Sequence, residues 1–176
     1  MKKIILALTI GLPSVLAAFT IYALSVMDIE RMILCASTKQ LERGLFDNLC
    51  YVYLVNFRGS TKDIQTLTDG AGLEFILNGP DEDLKYKIAE HFIAKGLDVN
   101  SINHYGGHGY TPLHAAVLYN DLERTEFLLS HGASLTVRDH AGHLTPVEFA
   151  RRLQQKTPDI DRSEIISLLD GHANGN

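Results

Sequence analysis

Residues 109–133, GYTPLHAAVLYNDLERTEFLLSHGA, constrain the fold more than any other stretch of the chain. Thr111 can close the first turn of a helix through its hydroxyl, and Pro112 suits the next position, where no backbone donor is needed. Leu113, Ala116 and Val117 then share one face of a short helix and are small enough for close packing. Asn120 is placed to take a left-handed conformation between two helices. A second helix from about Asp121 carries Leu122, Phe127, Leu128 and Leu129, and Gly132 ends it as a left-handed cap. Neither helix can bury its apolar face alone, so the unit demands stacked neighbours.

The run Thr111-Pro112-Leu113-His114, then two short helices and Gly132-Ala133, resembles an ankyrin repeat. The resemblance implies an all-α fold, a short solenoid of helix-turn-helix units with hairpin turns. It also implies a binding scaffold without catalytic activity. Downstream the pattern restarts at Thr145 and Pro146, with Thr145 falling 34 positions after Thr111, close to the family period of about 33. Glu148 stands where the motif has histidine, which puts the usual bond between turn and helix in question there. A last helix is expected from about Arg162 to Leu169, with Gly171 as its stop and 171–176 as a tail. Such a polar, degenerate unit suits a terminal cap with a wet outer face. Upstream, Leu84 to Asn100 resembles the second helix and exit strand of an earlier repeat, with Gly96 in the place of Gly132. The first helix of that repeat would run from about Ala71 to Leu77. Asn78-Gly79-Pro80 interrupts the chain, and Asp81 or Asp83 can cap the second helix. Roughly three repeats therefore occupy 70–170.

Before them, Lys2 and Lys3 lead into an uncharged run from Ile4 to Met27, 24 residues long. A spanning helix needs about 20 apolar residues and a secretory signal about 7–15, so length favours an uncleaved anchor. Val15-Leu16-Ala17 offers a cleavage site and Gly11 to Pro13 a break before it, so a cleaved signal and a soluble periplasmic protein are the alternative. The paired lysines favour a cytoplasmic N-terminus, which places the remainder in the periplasm of a bacterial cell, on the outer face of the inner membrane. Residues 28–69 form an N-terminal capping segment. Ile29, Met32, Ile33, then Leu41, Leu45, Phe46 and Leu49 have helical spacing, whereas Cys50 to Val55 fit helix or strand, and the segment is read as helical. Cys35 and Cys50 are the only cysteines. Outside the cytoplasm they favour a disulfide; in the cytosol they would be buried thiols.

Charge narrows the partner. The chain has 16 basic and 21 acidic residues; without Lys2 and Lys3 it has 14 against 21, a net of −7. Nucleic acid is not expected as a ligand, because its binding rests on basic neutralisation of phosphate. A basic protein would be steered favourably. The eight histidines raise the question of a metal, since His104 and His108 share one turn and His140 and His143 the next. Four imidazoles from adjacent turns could converge on zinc, giving a metal-dependent activity as one alternative. No cysteine or carboxylate framework accompanies them, however, so neither metal nor cofactor is expected. Tyr105-Gly106-Gly107-His108-Gly109 lacks the Lys-Ser/Thr ending of a phosphate loop, and no nucleophile motif is present.

The resemblance puts the family's contact positions on the turn tips and on the exposed face of the first helices. These are Gly107, His108, Tyr110, Leu118, Tyr119 and Arg138, with His140, Ala141, His143 and Arg152 in the next unit. His104 and Tyr105 belong to an insertion that lengthens the first turn. Tyr, Leu, His and Arg side by side form a mixture enriched at protein interfaces. Leu118 and Tyr119 could instead pack on the neighbouring repeat. Small exported ankyrin proteins of this design resemble immunity proteins that neutralise secreted antibacterial toxins; a scaffold for a resident periplasmic or membrane enzyme is the other binding role.

Overall fold

The computed structural model describes the backbone of residues 2–38 and 49–174 and the side chains of 14–38 and 49–173. Its elements are α1 (Lys2–Val26), α2 (Ile29–Ser37), α3 (Leu49–Phe57), α4 (Thr61–Asp69), α5 (Leu73–Leu77), α6 (Glu82–Ala94), α7 (Pro112–Tyr119), α8 (Leu122–Ser130), α9 (Pro146–Lys156) and α10 (Ser163–Asn174). No strand occurs among the described residues. The all-α expectation therefore holds, and the segment after α6 is a turn where an exit strand was expected.

Three helical pairs stack in order: α5 with α6, α7 with α8, and α9 with α10. The central pair obeys its local chemistry closely. Thr111 and His114 form a reciprocal capping box, Pro112 opens α7, and Asn120 ends it in the left-handed region at φ 56°. Gly132 comes after α8 at φ +82°. The next pair repeats the device with glutamate. The Thr145 side chain accepts from the Glu148 amide, and the Glu148 carboxylate accepts from the Thr145 N–H at 2.9 Å. That N–H and the Arg138 guanidinium hold the Glu148 carboxyl below its usual range. The replacement thus keeps the cap and changes what the side chain reaches. His114 Nε2 spans to the Leu144 carbonyl of the next unit at 3.0 Å, whereas Glu148 pairs with Arg138 at 2.8 Å.

Two boundaries differ from expectation. The first helix of the leading pair begins at Leu73, because Gly72 at φ +60° cannot belong to a right-handed helix. Cys50 to Val55 are helical, as the segment was read, lying within α3, which packs on α2. Gly171 does not stop the last helix, which runs on to Asn174 and takes in most of the expected tail. Unlike Gly132, Gly171 is not in the left-handed region, so it provides no terminating turn.

The segment ahead of the repeats completes the core. Met32, Ile33, Leu54 and Leu67 are fully buried together with Leu73, Ile76 and Ile88 of the first pair. Cys35 and Cys50 form a disulfide between α2 and α3, with Cα atoms 5.8 Å apart. Arg58 pairs with Asp63 at 2.6 Å and donates to the Met27 carbonyl at 2.8 Å, fastening the end of α1 to the start of α4. Burial pushes the Asp63 carboxyl up, but bonds from Arg58, Gly59 N–H, Ser60 N–H and the Ser60 hydroxyl outweigh it and bring it down to about 2.

The helix α1 is continuous through Gly11 to Pro13, where the alternative of a cleaved signal places a break. Among the described residues no helix is long and apolar enough to cross a membrane. The side chains of 4–13, nearly half of the expected span, lie outside the described residues, as do Leu41, Leu45 and Phe46.

Candidate protein-binding groove

Helix α7 is short and unusually enclosed. Every residue from Thr111 to Val117 is buried, because α8 covers one side, α9 another and α5 a third. Its apolar residues therefore pack, and its one imidazole has to be satisfied internally. His114 Nε2 faces a carbonyl, which can only accept, so the proton sits on Nε2. Nδ1 then accepts from the Thr111 hydroxyl at 2.8 Å. Burial lowers the His114 pKa, opposed by the bond to Leu144 and the charge of Asp139. This histidine is structural.

The enclosure ends abruptly at the last two positions. Leu118 is 36% exposed and Tyr119 60%. Together with Ala115 they form one wall of a cleft of about 170 Å³, whose other sides come from Glu74 on α5 and from Asn103, Gly106, His108, Gly109 and Tyr110 in the long turn. The Tyr110 ring stacks near His108 at 5.2 Å and lies 5.2 Å from Phe149 of the next pair, so its position is fixed from both sides. Burial and the nearby Asp139 charge push the Tyr110 phenol up. At the base, Asn103 Nδ2 donates to Glu74 Oε2 at 2.9 Å.

Of the residues singled out in the sequence, the cleft gathers His108, Tyr110, Leu118 and Tyr119. The others lie elsewhere. His104 is exposed and its amide donates to the Gly70 carbonyl at 3.0 Å. Tyr105 is 70% exposed and turns back toward α2, where its hydroxyl meets Glu30 at 3.3 Å. Arg138 is tied to the His143 carbonyl at 2.6 Å as well as to Glu148. The His140 ring lies against Gly109, where an added Cβ would come within 2.3 Å of it. His143 adopts a left-handed φ of 52°, and Arg152 is exposed on α9. Among the described residues no three His, Cys, Asp or Glu side chains are placed to share a metal ion, so the four turn histidines do not converge.

Glu74 and Asn103 were missed in the sequence. The available signal was one charge inside an apolar run, Leu73-Glu74-Phe75-Ile76-Leu77. A carboxylate there is 7% exposed and needs a reason for its burial.

Compared with known proteins, residues 94–150 match the family described as ankyrin repeats (many copies). No curated protein matches the chain significantly.

Proposed function

We propose that this chain, whose residues 94–150 are ankyrin repeats, binds another protein in the groove formed by His108, Tyr110, Leu118 and Tyr119, and catalyses no reaction. The observation that carries the proposal is the exposure of Leu118 and Tyr119 at the end of a helix buried everywhere else. A large aromatic and an aliphatic side chain left adjacent in water, rimmed by polar turn residues, match the make-up of an interface centre.

Residues 4–27 hold the protein at the inner membrane with the repeats on the outer face. The support is the length of the apolar run and the two lysines before it. A Cys35–Cys50 disulfide also suits an oxidising compartment. In its sharper form the role is that of an immunity protein, an acidic binder standing where a secreted toxin arrives. The acidic balance of the chain favours a basic toxin.

The test is affinity capture with the full chain, comparing wild type with Leu118→Ala and Tyr119→Ala. Loss of one captured protein with unchanged thermal stability supports the groove. Capture unaffected by both substitutions refutes it. The identity of that protein, incoming toxin or resident enzyme, separates immunity from scaffolding.

A further inference from the structure

We infer that the cleft beneath the 104–109 turn is a socket for an arginine side chain of the bound protein, with Glu74 as its counter-charge. The inference rests on the groove reading and narrows the chemistry of the partner. Glu74 is 7% exposed, yet among the described residues its carboxylate takes a hydrogen bond only from the neutral amide of Asn103, at Oε2. A carboxylate withdrawn from water is normally paired with a cation or saturated by donors. Among the described residues Glu74 enters no ion pair.

Neither Arg124 nor Arg138 supplies the missing charge. Arg124 donates to the Leu77 carbonyl and to Asn78 Oδ1, and Arg138 is held by Glu148. No lysine or arginine lines the cleft. The unused capacity of Glu74 therefore faces a space of about 170 Å³, large enough for the end of one side chain.

The walls select among cations. Leu118, Tyr110, whose ring is stacked with His108, and Tyr119, whose ring has the Arg124 guanidinium 5.7 Å from its centroid, line the cleft. A planar, weakly hydrated guanidinium packs against aromatic and aliphatic walls, as Arg124 already does on Tyr119, and still offers several in-plane donors to a carboxylate, whereas an ammonium is more costly to desolvate. The buried Asp139 beyond Tyr110 adds to the negative potential around the socket. His108 is the one titratable base on the lining, and it sits at the exposed rim.

The probe is N-acetyl-arginine N-methylamide, titrated into the full-length ¹⁵N-labelled chain in detergent and monitored by amide chemical shifts. The neutral isostere N-acetyl-citrulline N-methylamide is run beside it. The expected result is saturable shifts centred on Glu74, Asn103, Leu118 and Tyr119, with Kd on the order of 1 mM for a probe of this size. Citrulline should bind at least about tenfold more weakly, and Glu74→Gln, which keeps an acceptor for Asn103, should weaken the arginine probe similarly. If Glu74→Gln unfolds, Leu118→Lys serves instead, since it sets an ammonium at the mouth from an exposed position. Equal binding of arginine and citrulline, shifts centred away from the cleft, or no saturation at concentrations on the order of 10 mM overturns the inference. Partner capture separates the two levels. Loss with Tyr119→Ala but not with Glu74→Gln overturns the socket and leaves the groove standing, whereas capture unaffected by either overturns both.

Discussion

His114 shows how much one side chain can hold when it is forced inside. It closes the cap of its own helix through Nδ1 and reaches the next repeat through Nε2. The first bond depends on the neutral ring, since a proton on Nδ1 would point at the donors of Thr111, whereas Nε2–H donates to the Leu144 carbonyl in either charge state. Its pKa in the fold lies below the ordinary 6.5. The unfolded chain therefore binds the proton first, and the contribution is complete above about pH 6.5 and is lost as pH falls through the lower, folded value. Denaturant midpoints should drop as pH falls below about 6.5 in the wild type. His114→Gln should start less stable and respond less to pH over that range. Gly132 poses a different constraint. An added Cβ would meet nothing within 4 Å, so steric room is not what demands glycine there; φ +82° is. Gly132→Val should cost at least about 1–2 kcal/mol in equilibrium unfolding, all of it from the backbone. A neutral effect would show that the turn relaxes into another conformation.

Among the elements, those that announce themselves do so through their ends. Thr111-Pro112 and Thr145-Pro146 specify a cap and a first turn with no help from the rest of the chain, and α7 and α9 begin at those positions. The helix α4 was overlooked, although Ser60 to Asp63 carries the capping-box spacing and forms that box. It went unseen because α4 has few apolar residues, of which Leu67 alone is fully buried, so no hydrophobic stripe flags it. Gly171 misled in the opposite way: glycine near a helix end suggests a stop, but only a left-handed φ makes it one. Space for a Cβ is open at Gly171, which lies inside α10. Gly171→Ala should therefore stabilise the protein by about 0.5–1 kcal/mol, the reverse of any substitution at Gly132. A loss of stability on urea unfolding would place Gly171 outside the helix. The groove was legible where it derives from the repeat, at His108, Tyr110, Leu118 and Tyr119. It was opaque where contact crosses between repeats, as at Glu74 and Asn103, because no local pattern records a partner 29 residues away.

At the scale of the whole molecule, neighbouring units are registered by bonds between their turns. The Asn100 side chain accepts from Ser134 N–H at 2.7 Å, and the His108 carbonyl accepts from His140 N–H at 2.9 Å. Ahead of the stack stands the disulfide, which closes a separation of 15 residues. Replacing both cysteines by serine should cost about 3 kcal/mol if loop closure governs the effect. Comparing the unfolding of the oxidised and reduced wild type checks this independently of the mutations. An unchanged midpoint would mean that α2 and α3 are held by packing alone. The same bond also has a mechanical consequence. A pull between the N-terminal helix and the repeats passes from Cys35 to Cys50 through the two sulfurs, so the residues between them carry no load. The separation of α2 and α3 at that point is set by a covalent bond and not by the length of chain that joins them.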